Sequence, residues 1–331
     1  MEKDPTTTTI TISNMATVAD RMPPALRLRI ARRKNPQRAV ERAISVPGLT
    51  RGPAIKGSVW AVTVVKDEAD IVGHAIRHLL GQGVDRVIAI DNGSTDGTIE
   101  LLDQIAGEDV RVHVGTDRQA AFMQGRKVSY LAHLAWRAGA DWVIPFDADE
   151  FWFAPGMPVT DFLRGTSAHI VSCAMHDVTP TAESEELVFG DGRPVHVDAT
   201  PRRLHKVAFR TSHWQWIADG NHALIGRQPD GSGLRLLHYN YRSLSQIYRK
   251  THNGADAVKL AADLSDDTAT HWKALARLSL AETEEAWRAH RARAGVNLDG
   301  DARGARIRVP DPALWRTWDP RGLLGVAGPP S

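Results

Sequence analysis

Hydrophobic positions along the chain fall into short runs set between polar turns, and from residue 58 the runs alternate between two periods. Ser58–Val65 (SVWAVTVV) is apolar and β-branched, as a strand buried on both faces should be. Asp67, Glu68 and Asp70 follow as N-cap and first-turn acids. Ile71, Val72, Ala75, Ile76, Leu79 and Leu80 then recur at helical spacing, and Gly81 and Gly83 end the helix. Arg86–Asp91 (RVIAID) predicts a second strand. The turn Asn92-Gly93-Ser94-Thr95-Asp96-Gly97 leads into a helix at 98–105, with Asp96 or Thr95 as its cap. Val110–Val114 predicts a third strand, Lys127–Ala138 a helix, and Trp142–Phe146 (WVIPF) a fourth strand. Strands and helices that alternate with short connections predict a parallel sheet of right-handed βαβ units.

The pattern changes at both ends. Residues 1–20 are polar and threonine-rich. Residues 21–43 carry Arg21, Arg27, Arg29, Arg32, Arg33, Lys34, Arg38 and Arg42 against one acid, Glu41, with Leu26, Leu28, Ile30 and Ala31 between them. This reads as a solvated arm or an oligomer contact, with a peripheral membrane helix as the alternative. Beyond residue 155, glycines, prolines and tryptophans predict loops and short strands. Residues 243–293 return to a helical pattern, with Trp272, Leu275, Leu278 and Leu280 as packing residues, and the tail from 299 is irregular. The division expected is an extension over 1–55, a catalytic domain over 56–255 and a helical C-terminal segment over 256–331.

Composition narrows the class. The 331 residues suffice for a sizeable core. A formal charge of +2 gives no support for nucleic acid as a partner. One cysteine, Cys173, excludes an internal disulfide and argues against a thiolate zinc site. No apolar run approaches the ~20 residues of a membrane helix, and the first residues lack a signal-peptide core. The expected location is the cytoplasm, with peripheral contact at the inner membrane face through the basic segment.

In an open parallel sheet, ligands bind at the carboxyl ends of the strands. Three polar clusters fall at such ends: Lys66-Asp67-Glu68, Asp91 to Gly97, and Asp147-Ala148-Asp149-Glu150. Asp147 and Asp149 are the sharpest signal. Two residues apart on an extended segment, their carboxylates would face one point, and unpaired they would repel. A hard cation such as magnesium or manganese resolves that conflict and can neutralise a departing diphosphate. Asp91, directly after an apolar strand, is a candidate for a nucleobase or ribose contact, or else a turn cap. Arg126 and Lys127, at a helix start, are candidates for the diphosphate. The chain has ten tryptophans; Trp152, Trp214 and Trp216 are candidates for stacking on sugar rings or for the core.

The stretch VVKDEADIVGHAIRHLLGQGVDRVIAIDNGSTDGT, followed by DWVIPFDADEFW, resembles family-2-type glycosyltransferases of the GT-A fold. The resemblance extends over roughly 58–255 through Gly220-Asn221-His222 and His238-Tyr239-Asn240-Tyr241-Arg242-Ser243. It implies an α/β GT-A sheet with an irregular acceptor-binding half. It also implies a nucleotide-sugar donor, a divalent metal, and inverting, hexosyltransferase-like transfer to a glycan, lipid-linked or small-molecule acceptor. By position, Asp91 would meet the nucleobase and Asp147-x-Asp149 would be the metal motif. His238 would complete the metal site, with His222 as runner-up or acceptor contact, and Arg242 and Lys250 would reach the phosphates. Lys66, Glu68 and Asn92 belong to the donor rim. Asp219, or alternatively Asp177, is the candidate base. Two departures stand out: Asp91-Asn92 replaces the usual acid pair, and Lys66-Asp67 replaces a Pro-Tyr-Asn. The rival readings are a sugar nucleotidyltransferase, which should carry a Gly-rich loop where Lys66-Asp67-Glu68 stands, and an inactive sugar-nucleotide-binding or scaffold protein, which has no need of the acidic pair.

Overall fold

The computed structural model describes residues 36–181, 183–260, 274–292, 298 and 304–325. The threonine-rich start, most of the basic segment, Trp272 and the final tail lie outside them.

Helix α1 (Pro36–Ala43) and the short β1 (Ile44–Ser45) lead to β2 (Val59–Val65), α2 (Val72–Gly81), β3 (Arg86–Asp91), α3 (Thr98–Glu108), β4 (Val112–Asp117), α4 (Gln124–Arg137) and β5 (Trp142–Pro145). Strands β4, β3, β2 and β5 are neighbours in that order and all parallel. Both faces of this half-sheet are covered, which explains the unbroken apolar runs. Val59, Ala61 and Val65 of β2 join Val87 and Ala89 of β3 beneath α2 and α3. Their alternates, Trp60, Val62, Ile88 and Ile90, pack under α4 and Val40 of α1. The third strand begins two residues later than the sequence pattern suggests, because Val110 is 87% exposed at the turn into it. Helix α4 begins three residues earlier, at Gln124.

The second half is more regular than its glycines and prolines imply. β6 (Glu150–Phe153), α5 (Val159–Gly165), β7 (Ile170–Pro180), β8 (Val195–Asp198), β9 (His205–Arg210) and β10 (Gly231–His238) continue the same sheet in the order β5-β9-β7-β10-β6. Pairing here is mostly antiparallel, with β10 parallel to β7. β7 runs for 11 residues, but Ser172, His176, Asp177 and Thr179 interrupt its apolar pattern, so no simple period announces it. Helices α6 (Leu244–Lys259) and α7 (Leu280–Ala292) pack through Ile247, Leu275 and Trp287. Leu278 is partly buried there, whereas Leu280 is 57% exposed and plays no packing part. β11 (Arg306–Val309) pairs with β8. Among the described residues no helix is long and apolar enough to cross a membrane.

This frame buries histidines in neutral form. Burial pushes His78 down to about 4, against the hydrogen bond its Nε2 donates to the Trp152 carbonyl at 2.7 Å. Burial does the same to His176, whose Nδ1 bonds the Asp198 carbonyl at 2.9 Å. Unfolded, both rings take up protons near pH 6.5. Between about pH 6.5 and 4 the unfolded chain therefore binds more protons, so stability is full above that window and falls as pH drops through it. The urea midpoint should decline steadily from pH 7 to pH 4.5, and His78→Gln should flatten part of the slope. A midpoint independent of pH across that range would contradict this.

Candidate active site

The carboxyl ends of β2, β5 and β10 open into one cleft of about 760 Å³. Its floor is tied together by reciprocal bonds between the loops after β2 and β3. The Asp67 N–H donates to Ser94 Oγ at 2.9 Å, and the Thr95 N–H returns a bond to Asp67 Oδ1 at 2.7 Å. The Glu68 and Ala69 N–H groups reach Thr98 Oγ1 and Asp96 Oδ2. Asp67 adopts a left-handed φ of 54° within this lacing, a cost that persists only where the surroundings hold it.

Sheet register sets the centre. His238, the last residue of β10, pairs with Glu150 on one side and Asp177 on the other. Its Nδ1 donates to Asp177 Oδ1 at 2.9 Å, and Arg202 Nε holds the same carboxylate at 2.8 Å. This fixes the tautomer and leaves Nε2 facing Asp149 Oδ1 at 3.8 Å. Burial pushes the ring down to about 4, so it is neutral near pH 7.

Asp147 and Asp149 do not lie on an extended segment. They stand in a tight turn between β5 and β6, and their surroundings differ. Asp147 Oδ1 accepts from Gln124 Nε2 at 2.8 Å and Asn221 Nδ2 at 3.1 Å, and its Oδ2 lies 2.6 Å from Lys206 Nζ. Asp149 is 2% exposed, with Oδ2 at 2.5 Å from Lys250 Nζ. Burial opposes its charge, but Lys250, His238 and Arg242 hold the carboxyl well below the usual range. Beneath the turn, Glu150 is fully buried; desolvation pushes it up to about 7 despite Lys206 at 2.7 Å. Burial likewise raises Glu68, which pairs with Arg242. Glu68, Asp70, Asp147, Asp149 and Glu150 thus surround Lys206, Arg242 and Lys250: five carboxylates to three cations, an excess of two negative charges when all are ionised.

A divalent cation fits that excess. Among the described residues no three His, Cys, Asp or Glu side chains converge as a ready metal-binding group. Asp149 and His238 are nonetheless a carboxylate and an oriented neutral imidazole side by side, and the carboxylate–histidine pairing through Asp177 is the usual support of a metal-binding ring. Asp147 is already held by three partners, Gln124, Asn221 and Lys206.

The cleft gathers Lys66, Glu68, Asn92, Lys127, Asp147, Asp149, Asp219, His222, His238 and Lys250 from among the residues singled out in the sequence. The others lie elsewhere. Asp91 does not line it; its carboxylate accepts from the Gly93 N–H at 3.0 Å and the Ser94 N–H at 3.2 Å, closing the turn. Asp177 stands behind His238 with both oxygens on Arg202. Arg242 is 2% exposed and locked by Glu68, Asp70 and the Tyr239 carbonyl. Arg126 does not reach the cleft. Trp152 is a core residue, while Trp214 and Trp216 pack edge to face at 5.5 Å beside His133, outside the lining. Lys127 lines the wall but is already paired to Asp117 at 2.7 Å. Asn92 is likewise held, donating to Asp117 Oδ2 at 2.9 Å.

Three contributors receive no role from the sequence. Lys206 sits in β9 as a buried charge within His205–Arg210, where a buried lysine requires an acid partner. Gln124 has no signal beyond polarity, and Asn221 is marked only as the middle of Gly220-Asn221-His222, with no role attached. The Asn221 position is set by backbone: φ is 59° there and 74° at Gly220, where an added Cβ would lie 2.6 Å from the His222 ring. Asp219 is exposed in the same turn, and its Oδ1 accepts from the Gly125 N–H at 2.7 Å, at the first turn of α4.

Residues 60–156 match the family model described as glycosyl transferase family 2. No curated protein matches the chain. Among solved structures, S. aureus TarS 1-349 is 14% identical over 70% of this chain and 72% of that one, with a TM-score of 0.37. Mannosyltransferase PcManGT from Pyrobaculum calidifontis, in complex with GDP-Man and Mn2+, is 14% identical over 86% and 85%, with a TM-score of 0.35. A mycobacterial protein is 22% identical over 48% of each chain, with a TM-score of 0.26. The α/β sheet, with its cleft at the carboxyl edge of the parallel strands, accords with a glycosyl transferase family 2 match that spans residues 60–156.

Proposed function

We propose that the protein transfers a sugar, with inversion, from a nucleoside-diphosphate sugar to an acceptor hydroxyl, and that a divalent cation assists. The observation that carries this reading is the meeting of Asp149, His238 and Lys250 at the carboxyl edge of the parallel strands. Asp149 and His238 would hold the cation, manganese or magnesium, which would offset the charge gathering on the departing diphosphate.

The chain's own groups supply the rest. Lys66 is an exposed cation at the mouth with no acid partner among the described residues, and Lys250 lies deeper; both suit phosphate oxygens. Asp219 is the base. One oxygen is fixed at the first turn of α4, so the other is oriented without being consumed. The acceptor O–H gives its proton to Asp219 as its oxygen attacks the anomeric carbon. The bond from that carbon to the diphosphate breaks with its electron pair staying on the diphosphate. His222, its Nδ1 on the His205 carbonyl at 2.9 Å, lies on the acceptor side.

A panel of nucleotide-sugars assayed for transfer or slow hydrolysis tests this reading. At least one donor should turn over with manganese, and Asp149→Asn should lower kcat/KM at least about a hundredfold, roughly 2.7 kcal/mol. Binding of no nucleotide-sugar, with or without metal, would refute it. Asp91 offers a second test. As a turn cap, Asp91→Ala should lower stability by about 1–3 kcal/mol and leave nucleoside diphosphate affinity essentially unchanged by calorimetry. A clear loss of affinity at wild-type stability would restore it as a nucleobase contact.

A further inference from the structure

Lys206 is the buried cation to which neither the sequence motifs nor the transfer reaction gives a part. It is 3% exposed on β9, and its Nζ stands 2.6 Å from Asp147 Oδ2 and 2.7 Å from Glu150 Oε1. Those lengths lie at or just beyond the upper end of the roughly 2.3–2.6 Å of a calcium–oxygen contact. The ammonium therefore occupies the place where a small hard cation would bridge the same two carboxylates. The turn itself brings these acids together: the Asp147 N–H donates to Glu150 Oε2 at 3.1 Å, and the Glu150 N–H to the Asp147 carbonyl at 3.1 Å.

Without Lys206, Asp147 and Glu150 would lose the cation they share and stand with Asp149 as three carboxylates within four residues. With it, Asp147 is held by Gln124, Asn221 and Lys206, while Asp149 turns Oδ1 toward an uncharged ligand, His238. We propose that Lys206 is a positioning residue, a fixed internal cation that withholds Asp147 and Glu150 from metal and confines the catalytic cation to Asp149 and His238. Resting on the reading under Proposed function, it makes the two aspartates unequal: Asp149 is a ligand, and Asp147 is part of the frame. A strongly hydrated divalent cation held by one carboxylate and one imidazole keeps more positions for diphosphate oxygens than one caged by three carboxylates.

The test is a titration with manganese alone, read as the loss of the free-ion paramagnetic resonance signal, on wild type, Lys206→Met, Lys206→Arg and Lys206→Met/Asp147→Asn. Lys206→Met should bind manganese at least about tenfold more tightly than wild type, against the intuition that a damaged site binds less. Lys206→Arg should stay near wild type, and the added Asp147→Asn should cancel the gain. A Lys206→Met protein that folds, by circular dichroism, and binds no more tightly than wild type overturns the proposal. If that variant does not fold, Asp147→Asn and Asp149→Asn decide with UDP or GDP present. Asp149→Asn should lose about tenfold in manganese affinity and Asp147→Asn less than threefold, and equal losses overturn the proposal. The two readings fail differently. Wild type that binds no manganese while Lys206→Met does removes the catalytic metal but upholds the role of Lys206. Wild type that binds manganese while Lys206→Met gains nothing does the reverse.

Discussion

The structure depends on a cluster of carboxylates that its own cations do not balance. Taking charges out of water is costly, and a buried ion group stays ionised only when partners neutralise it. Here Lys206, Arg242 and Lys250 answer five acids, of which Asp70 is open to solvent, and burial pushes the deepest, Glu150, up to about 7. An excess of this kind has two outlets: protonation, or a further cation. Under the proposed function, a further cation at the mouth of the cleft would also meet the donor's diphosphate.

Everything around the cluster keeps it in place. The parallel half of the sheet delivers Lys66 and Glu68 after β2 and the aspartate turn after β5. The antiparallel half returns Lys206 on β9 and His238 on β10, so that the register with β6 and β7 lays the imidazole between Glu150 and Asp177. Arg242, just beyond β10, reaches back to Glu68 and Asp70 and ties the two halves together across the cleft. Breaking such a pair by removing one partner costs about 3–5 kcal/mol, so these contacts hold the domain as well as shape the site.

The parallel half was legible because its strands are buried on both faces and its helices are amphipathic. β3 falls on the residues that hydrophobicity alone marks out. The aspartate pair was legible as a motif but not as geometry. Spacing of two implies a shared direction only on an extended chain, and a turn separates the carboxylates. Asp91 shows the same limit: an acid after a strand is as well suited to closing the next turn as to meeting a base, and the neighbouring Gly93 and Ser94 N–H groups claim it. Lys206, Gln124 and Asn221 come from β9, α4 and a left-handed turn far apart in sequence, and their convergence is a product of strand order that no local pattern carries. His238 was found through its motif, but its orienting partner Asp177 comes from β7, whose polar interruptions concealed it as a strand.

The most direct measurement of the metal's place is anomalous diffraction from crystals soaked with manganese and a nucleoside diphosphate. The expected result is one manganese peak, in contact with Asp149 and with Nε2 of His238, with Lys206 still bridging Asp147 and Glu150. A peak shared by Asp147 and Asp149 with Lys206 displaced, or a bound diphosphate with no metal beside it, would contradict the assignment of Asp149 and His238 as the ligands.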